Sequence, residues 1–132
     1  MLYLVPVGRF LYSAIFLMTV LGHFSPGYIA YAAQQGVPAA GFLVPLSGVI
    51  ATVGGLSVTF GYKAKLGAWL LVLFLVPVTI KMHAFWAVTD PMMRGIQMAM
   101  FMKNVSMLGA ALLIAHFGAG PLSLDARRAP VA

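Results

Sequence analysis

Four long apolar runs fill most of this chain and constrain its fold more than any other feature. They lie at about 8–24, 39–62, 66–88 and 95–117, each close to the roughly 20 residues that a bilayer-spanning helix needs. The rest of the composition agrees. The 132 residues are 62% hydrophobic and only 8% charged, with a mean hydropathy of +1.00, whereas an ordinary soluble domain carries about 25% charge. A water-soluble fold of this size cannot hide that much apolar surface. A typical soluble enzyme and a disordered chain are both excluded. The expectation is one small integral membrane domain, an all-α bundle of four transmembrane helices, followed by a polar tail at 118–132.

Breakers separate the runs. Pro26-Gly27 and Gly36-Val37-Pro38 bracket a segment without formal charge. Its Tyr28, Tyr31 and Ala32 predict a short interfacial turn of helix, because tyrosine prefers the headgroup level. A secretory signal peptide ending at Ala30-Tyr31-Ala32 is the competing reading, but the first run lacks a basic start before Arg9. In the second run Pro45 is tolerable within a bilayer helix. Ser47, Ala51 and Gly55 recur every four residues there, a stripe that permits close helix contact. Thr89-Asp90-Pro91 divides the third run from the fourth.

Charge gives the topology. Net charge is +6, from eight Lys/Arg against two Asp. The basic residues are too few and too scattered to track nucleic-acid phosphates. With four spans, Arg9, Lys63, Lys65, Arg127 and Arg128 share one side, and Arg94 alone lies near a span end on the other. The positive-inside bias predicts cytoplasmic N- and C-termini, and Arg9 reads as an anchor at the inner interface. The absence of Cys excludes disulfide exchange, thiolate metal sites, iron–sulfur clusters and CxxC-type haem attachment by this chain.

The same topology gathers polar residues into the outer half of the bundle. Lys81 and Lys103 fall roughly 10–12 Å inside the outer boundary. His83, Trp86 and Asp90 are spaced i, i+3, i+7, which predicts one helical face. Gln97, Phe101, Asn104 and Leu108 form a facing stripe, and His23 closes the first run at the same level. A lysine at mid-depth costs about 2.5–3.5 kcal/mol. Either both ammonium groups snorkel to the interface, or they meet a carbonyl-bearing or anionic ligand. A quinone fits chemically: its carbonyls accept hydrogen bonds, its tail is lipid-soluble, and the imidazole of His83 can exchange the proton that reduction requires. The expected quinone site is therefore His83, Trp86, Lys103, Asn104, Asp90, Lys81 and His23. Neither a metal site nor a covalent cofactor is expected. His23, His83 and Asp90 converge on a metal only if the first span packs beside the third, and His116 reads as structural. Met98 and Met102 share a face that suits Cu(I), although flexible packing explains methionines in apolar helices equally well.

The residues HAFW at 83–86, Asp90-Pro91, FMKNVSMLGAALLIAHFGAGPLSLDAR at 101–127, Gly8-Arg9, His23-Phe24, Val37-Pro38 and Gly54-Gly55 resemble the DoxX family of small bacterial inner-membrane proteins. The resemblance spans nearly the whole chain. It implies a four-span bundle and a link to thiosulfate:quinone oxidoreduction and terminal quinol oxidation. The chain departs from the pattern at Ala51, where many members carry a Glu three residues before the paired glycines.

The expected function is that of an accessory, quinone-interacting subunit of a respiratory oxidoreductase in the bacterial inner membrane, rather than a self-sufficient enzyme. Its partners are the lipid bilayer and other membrane subunits. The alternatives are a non-catalytic structural subunit that docks on a larger membrane complex through its small-residue stripe, and a small-solute or Cu(I) transporter that works as a homo-oligomer.

Overall fold

The computed structural model describes residues 1–128. Helix α1 (Leu4–Met18) runs on through a 3₁₀ turn (Val20–Phe24) into the short α2 (Pro26–Gln34). Next come α3 (Ala40–Phe60) and α4 (Ala64–Met82), a 3₁₀ turn (Phe85–Ala87), α5 (Pro91–Phe117) and α6 (Leu124–Arg128). Among the described residues there is no strand. Four segments, Leu4–Phe24, Ala40–Phe60, Ala64–Ala87 and Pro91–Phe117, are long and apolar enough to cross a membrane. The protein is thus an all-helical, four-span membrane protein. The spans alternate in direction. The start of α1, the α3–α4 loop and α6 lie at one end, called here the clamp end. The end of α1, α2 and the α4–α5 connection lie at the other, the histidine end.

Local chemistry sets the helix boundaries. Ser25 caps α2, its hydroxyl accepting from the Tyr28 amide at 3.1 Å, and Pro26 takes the first helical position, where its missing N–H costs nothing. Asp90 and Pro91 start α5 in the same way, so the fourth span begins four residues before the Gly95 expected. The third span departs further: its regular helix stops at Met82 instead of reaching Val88. The 19 residues of α4 already cover about 28 Å, close to the hydrocarbon thickness. Beyond that length the backbone meets the interface, and tertiary contacts decide its path.

α3 lies between α1 and α4, and α5 packs chiefly on α4. Arg9, Ser13 and Phe16 are the buried residues of α1, spaced along one face. Phe16 joins Ala51, Val58, Ala68, Leu71 and Leu75 in the main core. A second cluster, Ala32, Ala40, Val44 and Met82, seats α2 on α3 at the histidine end. α3 and α4 approach closely at Gly54, where an added Cβ would lie 2.9 Å from the Gly67 carbonyl and 2.9 Å from the Leu71 side chain. The small-residue stripe faces inward as well: Ala51 is buried and Gly55 abuts Phe16 and Leu17. It packs this bundle together, with Ser47 half-buried at its end. By contrast, α5 buries only Asn104 and Ala111 of its 27 residues.

These contacts predict opposite outcomes for two substitutions of similar kind. Gly54→Val forces α3 and α4 apart and is expected to destabilise the bundle by about 1–3 kcal/mol. Gly109→Ala, where a Cβ meets nothing within 4 Å, is expected to be neutral or mildly stabilising. Thermal unfolding in detergent, followed by circular dichroism, compares the two. Equal melting temperatures would remove the close contact as a source of stability.

Candidate functional site

The break after Met82 reorganises the expected polar layer. His83 closes α4, its amide bonded to the Thr79 carbonyl, and the chain then turns through Phe85–Ala87. His83, Trp86 and Asp90 therefore do not share a helical face, because only His83 remains attached to the helix. The facing stripe on α5 nevertheless reaches this segment. The His83 Nδ1 lies 2.8 Å from the Gln97 side-chain oxygen. Trp86 stands edge-on to Phe85 and Phe101, with ring centroids 5.2 and 5.8 Å away, and Phe85 meets Phe101 at 5.4 Å. Trp86 is 55% exposed.

Beside this cluster lies a groove of about 360 Å³ between α2 and the α4–α5 connection, lined by Tyr31, Gln35, Met82, Asp90, Met93 and Gln97 among others. Its polar groups are two amides, a phenol, a threonine hydroxyl and one carboxylate. That carboxylate is already engaged, since Asp90 accepts from the Met93 amide at 2.8 Å. The structure thus joins His83 and Trp86 to α5 and puts Asp90 on the lining of the groove, to which neither His83 nor Trp86 contributes.

The other expected residues lie elsewhere. Lys103 is exposed on α5, its ammonium 3.6 Å from the Met100 sulfur, one turn nearer the histidine end. That direction is the one snorkelling requires. Lys81 is exposed at the end of α4. Asn104 is buried at 5% exposure, two turns along α5 from Gln97 and outside the groove lining. His23 is also buried, between Tyr28 and Phe74 with centroids 5.4 and 5.7 Å away. Its Nδ1 lies 3.1 Å from the Thr19 carbonyl. A carbonyl can only accept, so Nδ1 carries the hydrogen. Burial, and next the neighbouring Tyr31, push the Tyr28 phenol above its usual range. Among the described residues no three His, Cys, Asp or Glu side chains converge as a metal site, so His23, His83 and Asp90 do not come together. Met98 and Met102 are both exposed.

The most constrained polar cluster stands at the clamp end. Arg9 is 5% exposed, and its guanidinium donates to the carbonyls of Ala119, Pro121 and Leu122. It binds the tail to α1 instead of anchoring an exposed interface. Asp125 then reaches the α3–α4 loop, its carboxylate accepting from the Lys63 and Ala64 amides at 2.7 and 2.9 Å. It serves as the N-cap of α4 from 61 residues away. The Asp125 amide returns a bond to the Gly61 carbonyl at 2.8 Å, and Ser123 caps the short α6 through the Ala126 amide. Gly61 has φ +64° and sits against Ser123, Arg9 and Ala119, so both its backbone angle and its lack of a side chain are required. The sequence held two signals for this cluster: an arginine inside an apolar run, and one of only two acids placed in the tail.

Comparison with known proteins follows the fold closely. The SURF4 family model matches residues 37–129. The chain is similar to the inner membrane protein YqjF of Escherichia coli (strain K12), 32% identical over 122 residues, covering 90% of this chain and 87% of that protein. It is also similar to the inner membrane protein YphA of the same organism, 30% identical over 101 residues, covering 76% of this chain and 71% of that protein. No solved structure matches. The matched family corrects the expected DoxX assignment. Several residues that suggested DoxX serve the helix bundle itself: Gly54 at a helix contact, Asp90-Pro91 at a helix start, Ser123 and Asp125 at the clamp.

Removing the long-range cap tests the clamp. Asp125→Asn is expected to cost about 0.5–2 kcal/mol, the range for helix caps, and to speed proteolysis of the tail in detergent. A variant as stable and as protected as the parent would show that the cap contributes nothing.

Proposed function

The chain belongs to the SURF4 family, and from that premise we propose that it is a bacterial inner-membrane protein that holds the headgroup of a lipid-soluble carbonyl compound, a quinone, at its histidine end. The location follows the names of its relatives YqjF and YphA and the four apolar spans. The positive-inside bias puts the clamp end in the cytoplasm. One observation carries the ligand reading: the groove lined by Tyr31, Gln35 and Gln97, with the Gln97 oxygen held by His83. With Nδ1–H donating to that oxygen, the Gln97 amide keeps its two N–H donors for a carbonyl in the groove. The His83 Nε2 remains a proton site. Neutral donors at the interface, beside an exposed indole, suit an amphiphile whose tail stays in lipid.

In this reading the protein is an accessory subunit, and electrons pass between the quinone and a partner chain. The open face of α5, which buries only two residues, supports lateral association. The transport alternative has less support: the four spans pack on one another around an apolar core, and Met98 and Met102 face outward.

Quinone binding is measurable through Trp86 in a Trp69→Phe background, which leaves one of the two tryptophans. Decylubiquinone is expected to quench it saturably, with binding about fivefold weaker in Gln97→Leu from loss of one hydrogen bond. Linear, unsaturable quenching, or identical binding by Gln97→Leu, would sink the proposal.

A further inference from the structure

We propose that a second groove, at the clamp end, seats the phosphate headgroup of an anionic phospholipid. This groove has a volume of about 650 Å³ and is lined by Lys63, Lys65, Leu66, Phe117, Gly120 and Ser123 among others. It lies at the opposite end of the bundle from the groove lined by Gln97 and is independent of the quinone reading.

The donors arise from the clamp itself. Arg9 draws the carbonyls of Ala119 and Leu122 toward the bundle. No peptide bond is cis, and in a trans peptide the C=O and N–H point in opposite directions. The amides of Gly120 and Ser123 therefore face away from Arg9, and both residues line the groove, Gly120 exposed and Ser123 buried at 2% exposure. Neither amide meets an acceptor among the described residues. A backbone donor at the edge of a bilayer takes its acceptor from water or from a bound anion.

Charge and shape select the ligand. Lys63 and Lys65 are both exposed. The stem of Lys65 lies along Gly118 and leaves its ammonium free. Asp125, the one carboxylate on the groove, is turned to the amides of Lys63 and Ala64 and so does not pair with either ammonium. Leu66 and Phe117, 62% and 74% exposed, continue the groove with apolar surface. Two ammonium groups and the amide of the exposed Gly120 suit a phosphate diester, and the apolar flank suits its acyl chains. A free phosphate would use the first set and leave the second bare. The bilayer around the clamp end supplies the lipid.

The test is native mass spectrometry of the full chain in a neutral detergent, titrated separately with dioleoyl phosphatidylglycerol, dioleoyl phosphatidylcholine and inorganic phosphate. The expected result is retention of phosphatidylglycerol alone. Lys65→Gln should weaken it about fivefold, and Lys63→Gln/Lys65→Gln about 25-fold, given the usual attraction of a lysine to an anionic lipid surface. Lys65→Arg should retain the lipid. Lys81→Gln/Lys103→Gln removes the same charge elsewhere and should leave retention unchanged, which separates a built site from net charge. Equal retention of phosphatidylcholine would overturn the proposal. So would equal binding of inorganic phosphate, or equal loss in the Lys81/Lys103 pair. Lys65 touches the fold only through its stem, so Lys65→Gln decides the matter even if the double variant fails to fold. Unchanged retention in that variant would also overturn the site.

Discussion

The guanidinium of Arg9, buried where the tail crosses the bundle, is the interaction on which the clamp end depends. A buried charge is tolerable only when hydrogen-bonded, and the two terminal nitrogens of this one donate to three carbonyls of the Ala119–Leu122 segment, while its Nε has no partner among the described residues. The same bonds satisfy backbone acceptors that lie beyond the end of α5. They fix the path of the tail, which brings Asp125 to the start of α4 and presses Ser123 against Gly61. Three features follow from one side chain: a capped α4, a tail folded back on the α3–α4 loop, and a Gly120 N–H turned away from the guanidinium.

The histidine end follows a different logic. There α4 ends once it has crossed the hydrocarbon, and the backbone from His83 to Asp90 is free to turn. What fixes it is side-chain pairing: His83 with Gln97, and Phe85 and Trp86 with Phe101. The connection is thereby docked on α5 and forms one wall of the groove whose other wall is α2. Between the two ends the contacts are made by small and aliphatic residues around the buried ring of Phe16.

Part of the geometry was legible in outline. Gln97 and Phe101 of the expected stripe do meet the segment that holds His83 and Trp86, because helical spacing on α5 is unbroken, whereas Asn104 lies apart from it. The face drawn through His83, Trp86 and Asp90 failed because it assumed a helix through residues whose conformation is set by their partners on α5. Lys103 and Lys81 look alike in sequence to buried functional lysines. Their exposure was decided by which face of each helix meets its neighbour, and hydropathy does not report that. The DoxX resemblance failed for a related reason. Paired glycines, an Asp-Pro helix start and a Ser-Leu-Asp tail are answers to packing and capping problems that any similar bundle meets, so they do not single out one family.

The number of spans, their helical character, the shared side of both termini and the short interfacial helix were determined by the sequence alone. Each is a local or periodic consequence of hydrophobic length, breakers and charge placement. The tertiary structure decided where α4 stops, that the small-residue stripe closes this bundle upon itself, and that Arg9 and Asp125 hold the tail. Those outcomes depend on contacts between residues tens of positions apart in a medium that leaves few polar groups unpaired. Neither the separation nor the pairing is written in any single segment.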